Sequence, residues 1–97
     1  MTTISINTSN RSKKQTAVRI LQTALKREKK ILKAGLEKTQ NNLKNFENTY
    51  DMTSQKFYEL YKNGQIEDRN DFVDWAGEYQ IYESLKEQIN VLKEIKV

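Results

Sequence analysis

Residues 12–49 read SKKQTAVRILQTALKREKKILKAGLEKTQNNLKNFENT, and their periodicity decides the fold. At 100° per residue, Ala17, Val18, Ile20, Leu21, Ala24, Leu25, Ile31, Leu32 and Leu36 fall on one broad face. Arg19, Lys26, Lys29, Lys30 and Lys33 lie opposite. Farther on, the apolar stripe narrows to Leu36, Leu43, Phe46 and Tyr50, the 3–4 spacing of a helical hairpin seam. With no proline in the chain, the pattern predicts one helix over about 12–49, with Ser12 as its N-cap.

On the C-terminal side, Asp51-Met52-Thr53-Ser54 reads as a break and restart. Thr53 is placed to cap a short helix over about 54–62, with Met52 packing on Phe57 as a hydrophobic staple. Asn63-Gly64 stops that helix, because glycine suits the left-handed position that follows a helix end. Asp68 then caps a third helix over about 69–95, with Asp71 favoured at N3 by the helix dipole. Its apolar stripe is Phe72, Trp75, Tyr79, Tyr82, Leu85, Ile89 and Leu92. On the N-terminal side, residues 1–11 are rich in Ser, Thr and Asn. They read as a flexible arm, or as a short edge strand around Ile4-Ser5-Ile6.

The expected architecture is therefore all-α: an elongated antiparallel helical hairpin with coiled-coil-like packing, one domain over 12–97 behind the arm. At 1.5 Å per residue the first helix is about 57 Å long and the third about 40 Å. Antiparallel packing sets Tyr50 near Phe72, Phe46 near Trp75, Leu36 near Leu85 and Leu32 near Ile89. The third helix then ends opposite Leu25, leaving Ala17, Val18, Ile20 and Leu21 uncovered. Leaving several aliphatic side chains wet forfeits several kcal/mol at roughly 25 cal/mol per Å², so another molecule is expected to cover them.

Composition narrows the function. The apolar fraction is 36 % and the mean hydropathy is −0.88, so the core is thin and a partner subunit is a natural source of added stability. Cysteine and histidine are both absent, which removes thiolate chemistry, the commonest general base and the commonest zinc ligand. No Gly-rich phosphate loop is present, and the acids Glu67, Asp68, Asp71, Asp74 and Glu78 lack a glycine-hinged calcium-loop spacing. No catalytic, cofactor or metal site is expected. No apolar run approaches the roughly 20 residues of a bilayer span, and residues 1–10 lack the apolar stretch of a secretory signal. A cytoplasmic protein is expected.

Charge divides the chain. Residues 1–45 carry eleven Lys and Arg against two acids, net +9, and no aromatic. Residues 46–97 carry six bases, eleven acids, net −5, and all nine aromatics. The broad face of the first helix is either a frayed end or a docking surface, with Val18, Leu21 and Leu25 as its candidates. Glu28, near the middle of that face, needs a partner's Lys or Arg or a solvated gap. Tyr58 and Tyr82, off or beside the main seam, are candidates for an interface, where tyrosine is enriched. Arg11, Lys13, Lys14, Arg19, Lys26 and Lys30 are candidate phosphate contacts, although such a run is also the solvated face of a long helix. No aromatic lies among them, so nucleic-acid contact there would be to the backbone and salt-sensitive.

The segment YDMTSQKFYELYKNGQIEDRNDFVDWAGEY, residues 50–79, resembles small prokaryotic helical antitoxins. These are the partner halves of two-gene toxin–antitoxin modules, in particular the TumA-like antitoxins paired with TumE-type toxins. The resemblance rests on Met52-Thr53, Phe57 with Tyr61, Gly64, Asp68 with Asp71, and Phe72 with Trp75. It covers about a third of the chain and leaves the basic first 45 residues outside. It implies tight binding and neutralisation of a cognate toxin. The expected function is protein binding through the basic helix and the exposed aromatics. The alternatives are a nucleic-acid-associated protein gripping phosphates and a structural coiled-coil dimer that self-associates through the first helix.

Overall fold

The structure, a computed structural model, describes residues 2–96. In chain order its elements are β1 (Thr2–Thr3), α1 (Arg11–Tyr50), α2 (Ser54–Lys62), α3 (Asn70–Lys93) and β2 (Ile95–Lys96). The molecule is a rod of 61 × 22 × 18 Å, as long as its first helix: 40 residues at 1.5 Å rise give about 60 Å.

The hairpin has the antiparallel register that the stripes predict. The rings of Tyr50 and Phe72 meet edge-on at 5.0 Å, and those of Phe46 and Trp75 stack at 5.6 Å. Four residues toward the N-terminus, Asn42 Nδ2 donates to Glu78 Oε1 at 2.8 Å. Two turns farther along, a Cβ on Gly35 would sit 3.4 Å from a Leu85 methyl. Each step forward on α1 is thus matched by one step back on α3, and Leu32 and Ile89, the next pair in register, are both buried.

The three helices meet at a stack of rings. Trp75 lies between Phe57 of α2, parallel at 3.8 Å, and Phe46 of α1. Trp75 and Phe57 are the largest fully buried side chains. The indole still needs a hydrogen-bond partner, and Nε1 donates to Ser54 Oγ at 2.9 Å. Ser54 opens α2, and its own N–H donates to the Glu47 carboxylate at 2.8 Å. One short buried residue therefore ties α1, α2 and α3 together. Thr53 caps α2 as expected, its hydroxyl accepting from the Lys56 N–H at 3.2 Å, and Met52 packs against the same core. Asp51 (φ 49°) and Gly64 (φ 68°) take the left-handed backbone that ends a helix.

Three expectations are corrected. First, α1 is capped by Asn10, whose Oδ1 accepts from the Lys13 N–H at 3.0 Å, and not by Ser12. Thr8, Ser9, Asn10 and Ser12 are all cap-competent, so local chemistry does not choose among them. Second, α3 begins at Asn70 behind Arg69, which makes no side-chain cap bond. Asp71 is consequently the second helical residue and accepts a hydrogen bond from the Tyr50 hydroxyl. Arg69 lies over the Phe72 ring at 5.3 Å and pairs with Glu67 at 3.7 Å, which places it, rather than Asp68, at the junction.

The third correction concerns the arm and the overhang it was expected to leave bare. β1 pairs in parallel with β2, Thr2 beside Ile95 and Thr3 beside Lys96, and the Ile4 N–H donates to the Lys96 carbonyl at 3.1 Å. The arm thus starts where α3 ends and must reach Asn10. Seven extended residues span about 23 Å, and the helical turns from Arg11 to Leu25 rise about 21 Å. The arm runs the length of the overhang. Ile4, Ile6 and Thr8 are half-buried while Ser5, Asn7 and Ser9 are exposed, the two-residue alternation of a strand lying on a surface. Ala17, Val18, Leu21 and Leu25 are half-buried in turn. Of the overhang, Ala17, Val18 and Leu21 are thus sheltered while Ile20 stays 61 % exposed, so the turns around Leu21 supply no argument for an outside molecule.

Candidate functional site

Apart from the sheltered turns around Leu21, two surfaces stand out. They lie on opposite flanks of the hairpin, because Gln40, Lys44 and Glu47 border one and Asn42 and Asn45 the other.

The first is a ladder of tyrosines on the flank where α2 packs. Tyr79 and Tyr82 sit one turn apart on α3, and Tyr58 follows core residue Phe57 on α2. Their ring centroids are 4.9 Å apart for Tyr58–Tyr79 and 6.2 Å for Tyr79–Tyr82. All three are half-buried, with one face held by the core and an edge left to solvent. Tyr58 Oη accepts from Gln80 Nε2 at 2.9 Å. Lysines close both ends: Lys62 Nζ is 5.5 Å from the Tyr58 ring centre and Lys86 Nζ 5.0 Å from that of Tyr82. Such cation–π contacts hold rings in place at a surface. Beside the ladder a groove runs between α1, α2 and α3, lined by Leu43, Lys44, Ser54, Tyr79, Tyr82 and Lys86, among others. Rigid, amphipathic aromatics flanked by charge are the material of protein interfaces.

Two hydroxyls are shifted. Burial, followed by a hydrogen bond to Glu83, holds the Tyr79 hydroxyl above the ordinary tyrosine value. The hydrogen bond to Asp71, followed by burial, does the same for Tyr50 against the opposing pull of Arg69. A group whose folded-state pKa is raised adds stability that is complete below the unfolded value near 10 and is lost as pH climbs through the folded one. Thermal melts from about pH 9 to about pH 11.5 should therefore fall more steeply for the wild type than for a Tyr50→Phe, Tyr79→Phe variant. Equal slopes would mean that these hydroxyls are not coupled to the fold.

The second surface is a set of bare aliphatics on the other flank. Ile20 is 61 % exposed, Ile31 58 %, Ile81 51 %, Val73 48 % and Val91 45 %. Val73 and Ile81 line one shallow depression with Asn42 and Asn45, and Val91 another with Glu28 and Leu32. Ile20 and Ile31, eleven residues apart, share one side of α1. Sequence reasoning grouped these two with Leu21 and Leu25 and missed the rest. The signal available was that Val73, Ile81 and Val91 are aliphatic yet lie outside the α3 seam.

The remaining candidates divide as follows. Tyr58 and Tyr82 come together through Tyr79. Val18, Leu21 and Leu25 are half-buried, and Glu28 is exposed. Arg11, Lys13, Lys14, Arg19, Lys26 and Lys30 are all exposed, and among the described residues none is in a salt bridge. Among the described residues no helix is long and apolar enough to cross a membrane. No protein family, curated protein or solved structure matches this chain.

Proposed function

We propose that the chain is a non-catalytic protein-binding module of the cytoplasm, an antitoxin that captures and neutralises a cognate toxin. The observation that carries this reading is the Tyr58–Tyr79–Tyr82 ladder, whose first two members lie in the segment, residues 50–79, that resembles the antitoxin pattern. The ladder is held from behind by the Trp75 stack and from both ends by lysines. Its side chains are therefore ordered before a partner arrives, and little conformational entropy remains to be lost on binding. Neutralisation would follow from occlusion, the tyrosine groove and the neighbouring basic side of α1 lying across the toxin's active surface.

The test is co-expression with the adjacent reading frame of the same operon. That frame is expected to arrest growth alone, and the wild-type chain to relieve the arrest and co-purify with its product. Truncating an interface tyrosine costs about 1–2 kcal/mol or more. Tyr58→Ala with Tyr82→Ala should then weaken capture by on the order of 100-fold while the helicity is kept. A harmless neighbour, or undiminished capture by the double variant, would refute the proposal.

One observation favours a second reading. Seven exposed bases from Arg11 to Lys30 gather at the arm end of the rod, unpaired among the described residues. A phosphate-gripping role predicts duplex DNA binding that falls steeply with added salt. No binding at low salt would remove it.

A further inference from the structure

We infer that the flank opposite the tyrosines is a self-association face, on which two copies of this chain pack antiparallel about a two-fold axis through Ile31 and Val91. The register of the hairpin brings those two residues to one level, and Val91 lines a depression with Leu32 and Glu28. That level is the middle of α1, which runs from Arg11 to Tyr50. From this midpoint two of the other three bare aliphatics lie at matched distances in opposite directions. Ile20 is eleven residues back along α1, about 16 Å, and Ile81 is ten residues back along α3, about 15 Å. A two-fold axis at the midpoint brings Ile20 of one copy level with Ile81 of the other. The same operation brings Lys13, about 27 Å out, level with Asp74, about 26 Å out the other way.

Charge selects this orientation. The arm end of the rod, residues 1–33 with 86–97, carries twelve Lys and Arg and three Glu, net +9. The aromatic end, residues 34–85, carries five bases and ten acids, net −5. An antiparallel pair lays each basic end over an acidic one. A parallel pair would lay like charge on like along the whole rod, which is unfavourable. The aliphatics at the centre supply apolar burial, and a symmetric pair uses each of them twice. The tyrosine ladder, on the other flank, stays open in such a dimer.

The chain has no cysteine, so single cysteines report the geometry without interference. The purified full chain is expected to sediment as a dimer at high micromolar concentration and low salt, and to dissociate on dilution or as salt rises. Ile31→Glu sets two carboxylates across the axis and should yield a monomer of unchanged helicity, because Ile31 is exposed. Under mild oxidation Ile31→Cys should cross-link to its own copy, whereas Ile20→Cys should not, its counterpart being about 30 Å away. A monomeric wild type would overturn the inference, as it would if a different protein covers this flank. So would an Ile31→Glu variant that still dimerises, or Ile20→Cys cross-linking as readily as Ile31→Cys. None of these results depends on capture of the neighbouring gene product, which reads out the tyrosine face.

Discussion

Trp75→Ala is expected to destabilise the fold by about 3–5 kcal/mol, the range for deleting a fully buried large aromatic. Domains of this size hold only about 5–15 kcal/mol in total, so the variant should sit near the unfolding threshold at ambient temperature. Three losses coincide. The ring is the middle member of a stack that joins one aromatic from each of the other helices, so its removal leaves a cavity lined by Phe46 and Phe57. The aromatic pairing goes with it, worth about 0.5–1.5 kcal/mol per pair. Ser54 Oγ loses its donor in a buried setting. Trp75→Phe separates these terms, because it keeps a stacked ring and removes only the Nε1–H bond and some volume; its cost should stay near 1–2 kcal/mol. Urea titration followed by far-ultraviolet circular dichroism measures both. A loss below about 1 kcal/mol for Trp75→Ala would mean that the three helices are not held by this stack.

Ile4→Asp with Ile6→Asp should have the second largest effect and a different character. Both side chains are half-buried where the arm lies along the first turns of α1. Burial of that extent is worth roughly 1 kcal/mol per residue, and a carboxylate in its place adds a desolvation cost. The arm should detach while the aromatic end stays intact, so the global unfolding midpoint falls by less than for Trp75→Ala. Amide exchange in α1 ahead of Leu25 should accelerate by on the order of 10- to 100-fold. Val18, Leu21 and Leu25 become accessible together, and binding of a hydrophobic dye should rise. Unchanged exchange in those turns would show that the arm does not shelter them.

The parts of the fold legible in the sequence share one property: each is set by residues close to one another along the chain. The α1 and α3 stripes, the Thr53 cap and the Gly64 stop are local, and the hairpin register follows from matching two stripes. What was not legible depends on where distant segments end. The arm covers the overhang only because seven extended residues match the rise of fourteen helical steps, and because the end of α3 supplies a strand for Thr2 and Thr3 to pair with. Ile4-Ser5-Ile6 carries the alternation of a surface strand, but the partner strand is two residues long at the far end of the chain, too short to register as a strand by periodicity. The start of α3 is hidden in the sequence for a related reason. Asp68 is the better cap by propensity, yet Arg69 holds the junction through its neighbours Phe72 and Glu67.

The candidate site was legible in part. Tyr58 and Tyr82 are aromatics in excess of what a thin core can hold, and the structure joins them through Tyr79. Val18, Leu21 and Leu25 looked available only because the hairpin was considered without its arm. The bare face of Ile20, Ile31, Ile81 and Val91 draws on two helices at once, and neither stripe alone reveals it.

The most direct test of the account is a hydrogen-exchange footprint of the chain with its operon partner against the chain alone. Recognition through the tyrosine groove predicts slowed exchange in α2 and around Tyr79–Lys86, with the turns carrying Val18, Leu21 and Leu25 unchanged. Slowing confined to residues 11–30, with α2 unaffected, would contradict it.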